Sequence, residues 1–370
     1  RHGCGCLGAK IESRTSKNKF FFFCYFRKLS LALILKHPVS RFSMQGMYDP
    51  SMKNNIRGFN NWVNSLLFPS SLSSSITNNI NSYFHSNHSD NIDYHAHCYI
   101  RNFIAGSIIY YSVALFFSYR NYIHPRSIEI FKDRERPLLA TIRNQICLAQ
   151  SSLFIYVMLP VLSDYLMEEG YTQAYYSLAD VGGFFPYLAM TLVYFVLVEI
   201  SIYWMHRTLH TNKFCYKYIH SVHHQYNKPE TLTPWASIAF HPLDGILQAS
   251  PYVFWLHFVP CHYFTHVGMV FGTAIWATYI HDAMDGNVEP IMSNKYHTIH
   301  HTHYHYNYGQ IFIFCDRFWG TLRVPQEKTG VTRWAKKQKL MKQKKGEVDF
   351  EENNIEKPAK FYEGDEKKED

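Results

Sequence analysis

Charge is what this chain has least of: Asp, Glu, Lys and Arg make up only 18% of its 370 residues. Soluble domains spend about a quarter of their residues on charge. Aromatics take the space instead, at 17%, with 28 Tyr and 28 Phe. That balance leans towards a membrane protein. The mean hydropathy of -0.23 averages apolar blocks against polar ends. The eight cysteines, at 4, 6, 24, 98, 147, 215, 261 and 315, form no C-x-x-C pair. Their scatter offers neither a disulfide framework nor a zinc ribbon. No basic stripe interleaves with base-stacking aromatics, which argues against a nucleic-acid binder despite the net charge of +8. An anionic membrane surface accounts for the positive charge better. A Rossmann or haem motif is also missing, so electrons for any redox chemistry must come from outside the chain.

What is present is a set of apolar blocks. Residues 103–119 and 145–163 carry no charge, and 184–204 carries a single acid, Glu199. Each is ~17–21 residues long, about what a helix needs to cross a bilayer. The region 246–280 is apolar but interrupted by Pro251 and Pro260. It reads as a helical hairpin with arms 246–259 and 264–280, spanning with distortion or only dipping into the bilayer. The connection 120–144 holds Arg120, Arg126, Lys132, Arg134, Arg136 and Arg143, whereas 166–183 holds no Lys or Arg. The positive-inside rule then places 120–144 in the cytosol and 166–183 in the lumen. By the same alternation the segment after 204 and both ends of the hairpin are cytosolic. The sequon Asn87-His88-Ser89 falls on the lumenal side.

Five stretches follow. Residues 1–43 are basic, with Glu12 the only acid, and read as a non-native or targeting extension before Met44 or Met47. Residues 44–102 form a lumenal segment, 103–183 the first membrane helices, and 184–325 the catalytic domain. Residues 326–370 form a charged cytosolic tail. Lys367 and Lys368 near its end look like a dilysine signal for retrieval to the endoplasmic reticulum.

Histidine is the unusual residue. Of 22, fifteen lie between 206 and 305. Three clusters stand out: His206-x-x-x-His210, His220-x-x-His223-His224 and His297-x-x-His300-His301. On a helix, positions i, i+3 and i+4 share a face, so each cluster would present two or three imidazoles together. One metal ion is satisfied by three or four ligands, so eight imidazoles suggest two ions. Imidazole suits zinc, copper, iron and nickel alike, and spacing does not choose among them. His257, His262 and His266, in or near the hairpin, read as structural, and His241 as a turn anchor.

With these boxes on the page, the chain resembles the fatty acid hydroxylase / sterol desaturase superfamily over roughly residues 100–325. The runs "YWMHRTLH", "FHPLDGILQASPY", "IHDAMDGNVEPIM", "YHTIHHTHYHYNYGQ" and "DRFWGTLR" look like the sterol C-5 desaturases, the lathosterol oxidase type, especially those of plants. Asn307-Tyr308-Gly309-Gln310 favours that branch. The resemblance implies two iron ions held by His206, His210, His220, His223, His224, His297, His300 and His301, with zinc possible in a purified form. It adds His281, and with less force Asp285, where the family often has a histidine. It implies O2 as co-substrate and a delta-7 sterol as substrate, gaining a C5–C6 double bond. It also implies cytochrome b5 and an NAD(P)H-dependent reductase as electron donors, with 120–144 and 331–346 as basic docking faces.

The expected fold is all-α: a multi-pass membrane bundle of about four or five spanning or re-entrant segments under a cytosolic, histidine-rich di-metal helical cap. The place implied is the endoplasmic reticulum membrane. The rival readings are a sterol or lipid hydroxylase or C-4 methylsterol oxidase of the same superfamily, and a non-catalytic, histidine-rich metal-binding membrane protein.

Overall fold

The computed structural model describes residues 51–69, 72–76, 89–125, 127, 136–228, 231–282 and 289–325. Asp285, the sequon, residues 1–43, the Lys-rich segment 331–346 and the dilysine lie outside the described residues. The fold is mostly helical, as expected. In chain order the main helices are α1 (Ser51–Leu67), α2 (Ser89–Ser118), α3 (Leu139–Tyr156), α4 (Met158–Glu168), α5 (Phe184–Thr211) and α6 (Lys213–Tyr218). They continue with α7 (Pro242–Trp255), α8 (Tyr263–Ile280), α9 (Asn294–His303) and α10 (Phe314–Phe318). Two short strands, β1 (Ala174–Tyr175) and β2 (Cys261–His262), pair in parallel and clip the α4–α5 connection to the α7–α8 turn.

Three helical stretches are long and apolar enough to cross a membrane: Ile92–Ile123, Leu139–Glu168 and Phe184–Thr211. Each outruns its apolar block, because the backbone hydrogen bonds of a helix continue into the flanking polar residues. Only 22–28% of each apolar window is buried inside the protein. Leu115, Phe116, Phe154, Leu188 and Leu192 face outward, as a lipid-facing surface requires. The second block is not one helix. It breaks at Val157 between α3 and α4, and Pro160 stands in the first turn of α4, where its missing N–H costs no helical bond.

The expected hairpin is α7 and α8. Its arms have 14 and 18 residues, or ~21 and ~27 Å at 1.5 Å per residue, short of a ~30 Å hydrocarbon core. Pro251 sits inside α7, within the expected first arm. A proline leaves the carbonyl four residues earlier without its partner. Here the Ser250 hydroxyl donates to the Leu247 carbonyl at 2.8 Å and fills that place.

The core lies where α5 crosses this hairpin. Tyr194, Val198 and Ile202 pack on Ala249, Tyr252 and Leu256, with Ile56 of α1 and Met167 of α4 beneath. Deeper polar groups are paired. Arg101 bonds Asn60 at 2.6 Å and Asp164 at 3.3 Å, tying α1, α2 and α4 together. His266 contacts Ser163 and Tyr194, both at 2.9 Å, and Tyr194 donates to the Tyr252 carbonyl. The structural reading of His266 fits these bonds, as that of His262 fits its bond to the Tyr176 carbonyl.

Candidate metal centre

α5 does not stop at the end of its apolar block. It continues to Thr211, so His206 and His210 stand on the last turns of a membrane helix, one above the other. Asn212 then ends α5 and caps α6, accepting from the Phe214 and Cys215 amides. The chain turns back into His220–Val222, which is a 3-10 turn and not the α-helix that the H-x-x-H-H spacing suggests. His281 caps the C-terminal end of α8, and His297, His300 and His301 lie on α9.

All nine described histidines singled out in the sequence converge, in two groups. His206, His210, His220, His224 and His300 form one; His223, His281, His297 and His301 form the other. The boxes therefore do not each serve one ion. In each H-x-x-H-H run, the first and last histidines join one group and the middle one crosses to the other. A spacing of i, i+4 keeps two side chains within about 40° of one another, while i+3 is rotated by about 100° from its neighbour at i+4, enough to aim it at the other group.

The contacts are made by Nε2 atoms. In the first group they close a ring: His210–His220 2.9 Å, His220–His224 3.1 Å, His224–His300 3.1 Å and His300–His210 3.2 Å. In the second, His281 lies 3.1 Å from both His223 and His297, and His297 lies 3.1 Å from His301. Several tautomers are fixed from behind. The Nδ1–H of His206 donates to the Tyr308 carbonyl (3.0 Å), that of His281 to Ala277 (2.6 Å) and that of His300 to Tyr306 (2.9 Å). His220 donates to the Asp244 carboxylate at 2.7 Å. Each of these four imidazoles then aims an unshared Nε2 lone pair inward. Each lone pair at this distance from a neighbouring Nε2 needs a proton or a cation to receive it, and a cation among the nitrogens satisfies all of them at once. Metal–nitrogen bonds of about 2.1 Å at right angles put neighbouring ligands about 3.0 Å apart, which matches the spacing observed. The residues therefore fit a pair of imidazole-bound metal ions.

Electrostatics agree. Burial, reinforced by neighbouring imidazoles, pushes His224, His281, His297, His300 and His301 well below the ordinary histidine pKa. His223 is pushed down to about 4, by burial first and His220 second. Neutral imidazole is the metal-binding form.

Four carboxylates hold the site from outside, and residue spacing alone did not single them out. Asp244 orients His220 and also accepts from the Gln248 amide at 2.7 Å. Asp282 binds Arg120 at 2.6 Å and Asn121, fixing the end of α8 beside His281. Glu199 accepts from the backbone amides of Gln310, Ile311 and Phe312, at 3.2, 2.8 and 2.9 Å. Asp316 accepts from those of Tyr308 and Gly309, both at 2.8 Å, and from Thr321. Burial raises Asp316 to about 6, against the pull of those bonds. The available signal was an acid inside an apolar run, Glu199, and acids within the quoted runs. His241 is the turn anchor expected: its Nδ1 caps α7 by accepting from the Leu243 amide at 3.2 Å.

The fatty acid hydroxylase family profile matches residues 191–321, which include every one of these histidines. The delta(7)-sterol-C5(6)-desaturase of Nicotiana tabacum is 43% identical over 229 residues, 62% of this chain and 84% of that protein. A delta(7)-sterol 5(6)-desaturase of Aspergillus fumigatus is 34% identical over 276 residues, 67% and 82% of the two chains. The lathosterol oxidase of Rattus norvegicus is 31% identical over 239 residues, 63% and 74%. No solved structure matches the chain.

Proposed function

The chain belongs to the fatty acid hydroxylase family, among its sterol C5(6)-desaturases, and on that premise we propose that it uses two iron ions and O2 to introduce the C5–C6 double bond into delta-7 sterols. The observation that carries this reading is the convergence of nine imidazoles into two groups at the mouth of an apolar slot. His206, His210, His220, His224 and His300 would hold one ion. His223, His281, His297 and His301 would hold the other.

The iron pair, when bound, supplies the activation of O2 and the removal of two hydrogens from adjacent ring carbons. The balance is one sterol, one O2, two electrons and two protons giving the unsaturated sterol and two waters. The protein's own residues do the rest. Nδ1–H donation by His206, His220, His281 and His300 keeps each Nε2 unprotonated. Ile202, Phe240, Ala277 and Ile280 line the slot beside the histidines, exclude water and hold the sterol edge in place. The electrons come from cytochrome b5 and its NAD(P)H-dependent reductase, docked by charge on the basic cytosolic loop 120–144.

The site and the C-terminus face the cytosol of the endoplasmic reticulum membrane, by the positive-inside asymmetry of the loops. Expression in yeast lacking its own C-5 desaturase tests the function. Conversion of the accumulated delta-7 sterol, dependent on O2 and NADH, is expected. Accumulation of C-4 methylated sterols rather than delta-7 sterols in cells that lack this protein would reject the reading.

A further inference from the structure

Two cavities open beside the metal centre. The near one, with about 770 Å³ of open space, is lined by His206, His223, His281 and His297 together with Gln248 and Gln310. The far one, about 790 Å³, runs past Gly106, Leu153, Val253 and Phe271 to His266. They share the walls Tyr156, Ile238, Ala249, Tyr252, Val270 and Ala274, so they lie side by side, and we treat them together as one slot. Along α8 the slot reaches from His281 to His266, ~22 Å at 1.5 Å per residue.

The slot is more polar at the histidine end, since Ser163 and His266 at the far end bond each other at 2.9 Å. In the near cavity most polar side chains already have partners. Ser237 accepts from Thr278, Thr273 donates to the Met269 carbonyl, and Gln248 donates to Asp244. Gln310 differs. Its amide N–H is held by Glu199 and its carbonyl by the Trp276 indole at 2.8 Å, so its backbone is fixed on both sides. Its side-chain amide makes no hydrogen bond to any described residue and lines the near cavity alone. The Tyr156 hydroxyl is likewise free of protein partners, but Tyr156 stands where the two cavities meet.

We propose that the Gln310 amide binds the sterol 3-hydroxyl, with the sterol side chain running down the slot towards His266; this rests on the desaturase reading above. Carbon 3 is joined to carbon 5 through carbon 4 alone. A sterol with its C5–C6 edge at the histidines must therefore keep its hydroxyl beside them, and its side chain must leave by the other end. A carboxamide both donates to and accepts from a hydroxyl. A site built to bond a hydroxyl discriminates strongly against an analogue that lacks it.

The test uses the full chain in yeast membranes, with a delta-7 sterol and its 3-deoxy analogue compared by mass spectrometry and metal content measured on purified protein. Wild type is expected to prefer the hydroxylated sterol. Gln310→Leu should bring that preference down by about tenfold, the size of one hydrogen bond, with the metal content unchanged. Tyr156→Phe should keep it. The assignment is overturned if Gln310→Leu retains the wild-type preference, if it slows both sterols equally, or if Tyr156→Phe is the variant that erases the preference. A wild-type chain that converts neither sterol overturns the desaturase reading, and this assignment with it.

Discussion

At the scale of single residues, the site depends on groups that never face the metals. Asp244 is buried and holds the His220 Nδ1–H at 2.7 Å, which fixes both ring orientation and tautomer. Partners of this kind are worth about 10–100-fold in metal affinity or activity. Asp244→Asn is therefore expected to lower iron affinity and sterol conversion by that range; equal iron titration curves for variant and wild type would remove the role. Gly309 supplies space rather than chemistry. A Cβ there would meet the Phe312 carbonyl at 2.3 Å and the Asp316 carboxylate at 3.0 Å, both of them fixed. Gly309→Ala should cost on the order of 1–3 kcal/mol through overpacking, read as a lowered midpoint of thermal unfolding. The histidines themselves were legible by spacing, since eight imidazoles in three boxes have few other uses. Asp244 and Asp316 were not, because a lone carboxylate in a sequence carries no sign of what it will accept from.

At the scale of elements, α5 does two jobs. Its centre carries Glu199, whose Oε1 collects three backbone N–H groups of the segment after α9. Its end carries His206 and His210. One rigid helix thus sets the third histidine box against the first. Glu199→Leu would strand three buried donors at about 1–3 kcal/mol each, and the protein is expected to lose metal as well as stability. Glu199→Gln retains an acceptor oxygen and should keep part of both, measured by metal content per purified chain. The second box shows where periodicity misled. H-x-x-H-H spacing reads as a helix, but α6 ends at Tyr218 and His220 is tied to Asp244 on the start of α7, and His220–Val222 form only a 3-10 turn. The exchange of His223 and His300 between groups follows from three-dimensional approach, to which a pattern along one element is blind.

At the scale of the whole molecule, the candidate metal centre would also be a fastener. Its nine histidines come from α5 and the 3-10 turn on one side and from the end of α8 and α9 on the other, some sixty residues further on. With metal removed, the inward Nε2 lone pairs of His220, His300 and His281 each lie about 3 Å from the Nε2 of another buried imidazole, at 2.9, 3.1 and 3.1 Å. A metal bound only by the folded chain stabilises it by mass action. Chelation in detergent is expected to lower the unfolding midpoint by several degrees, and Fe(II) to restore it; a midpoint unmoved by chelation would argue against any structural role for the ions.

The sequence by itself determined the class of this protein: a membrane chain, because charge is scarce and apolar blocks are long, and a metal protein, because histidines recur at helical spacing beside those blocks. It also identified the branch, through short runs whose residues turn out to be structural, such as Asn307, which bonds the Tyr296 and Arg323 carbonyls at 2.9 and 3.0 Å. Only the tertiary structure decided how the histidines divide into two groups, which carboxylates hold them, and where an apolar slot meets them. The reason is physical. Spacing along a chain fixes which side chains share a face of one element, but a metal site and a cavity are made by faces of different elements. Their approach is set by packing, here by α5 crossing the α7–α8 hairpin.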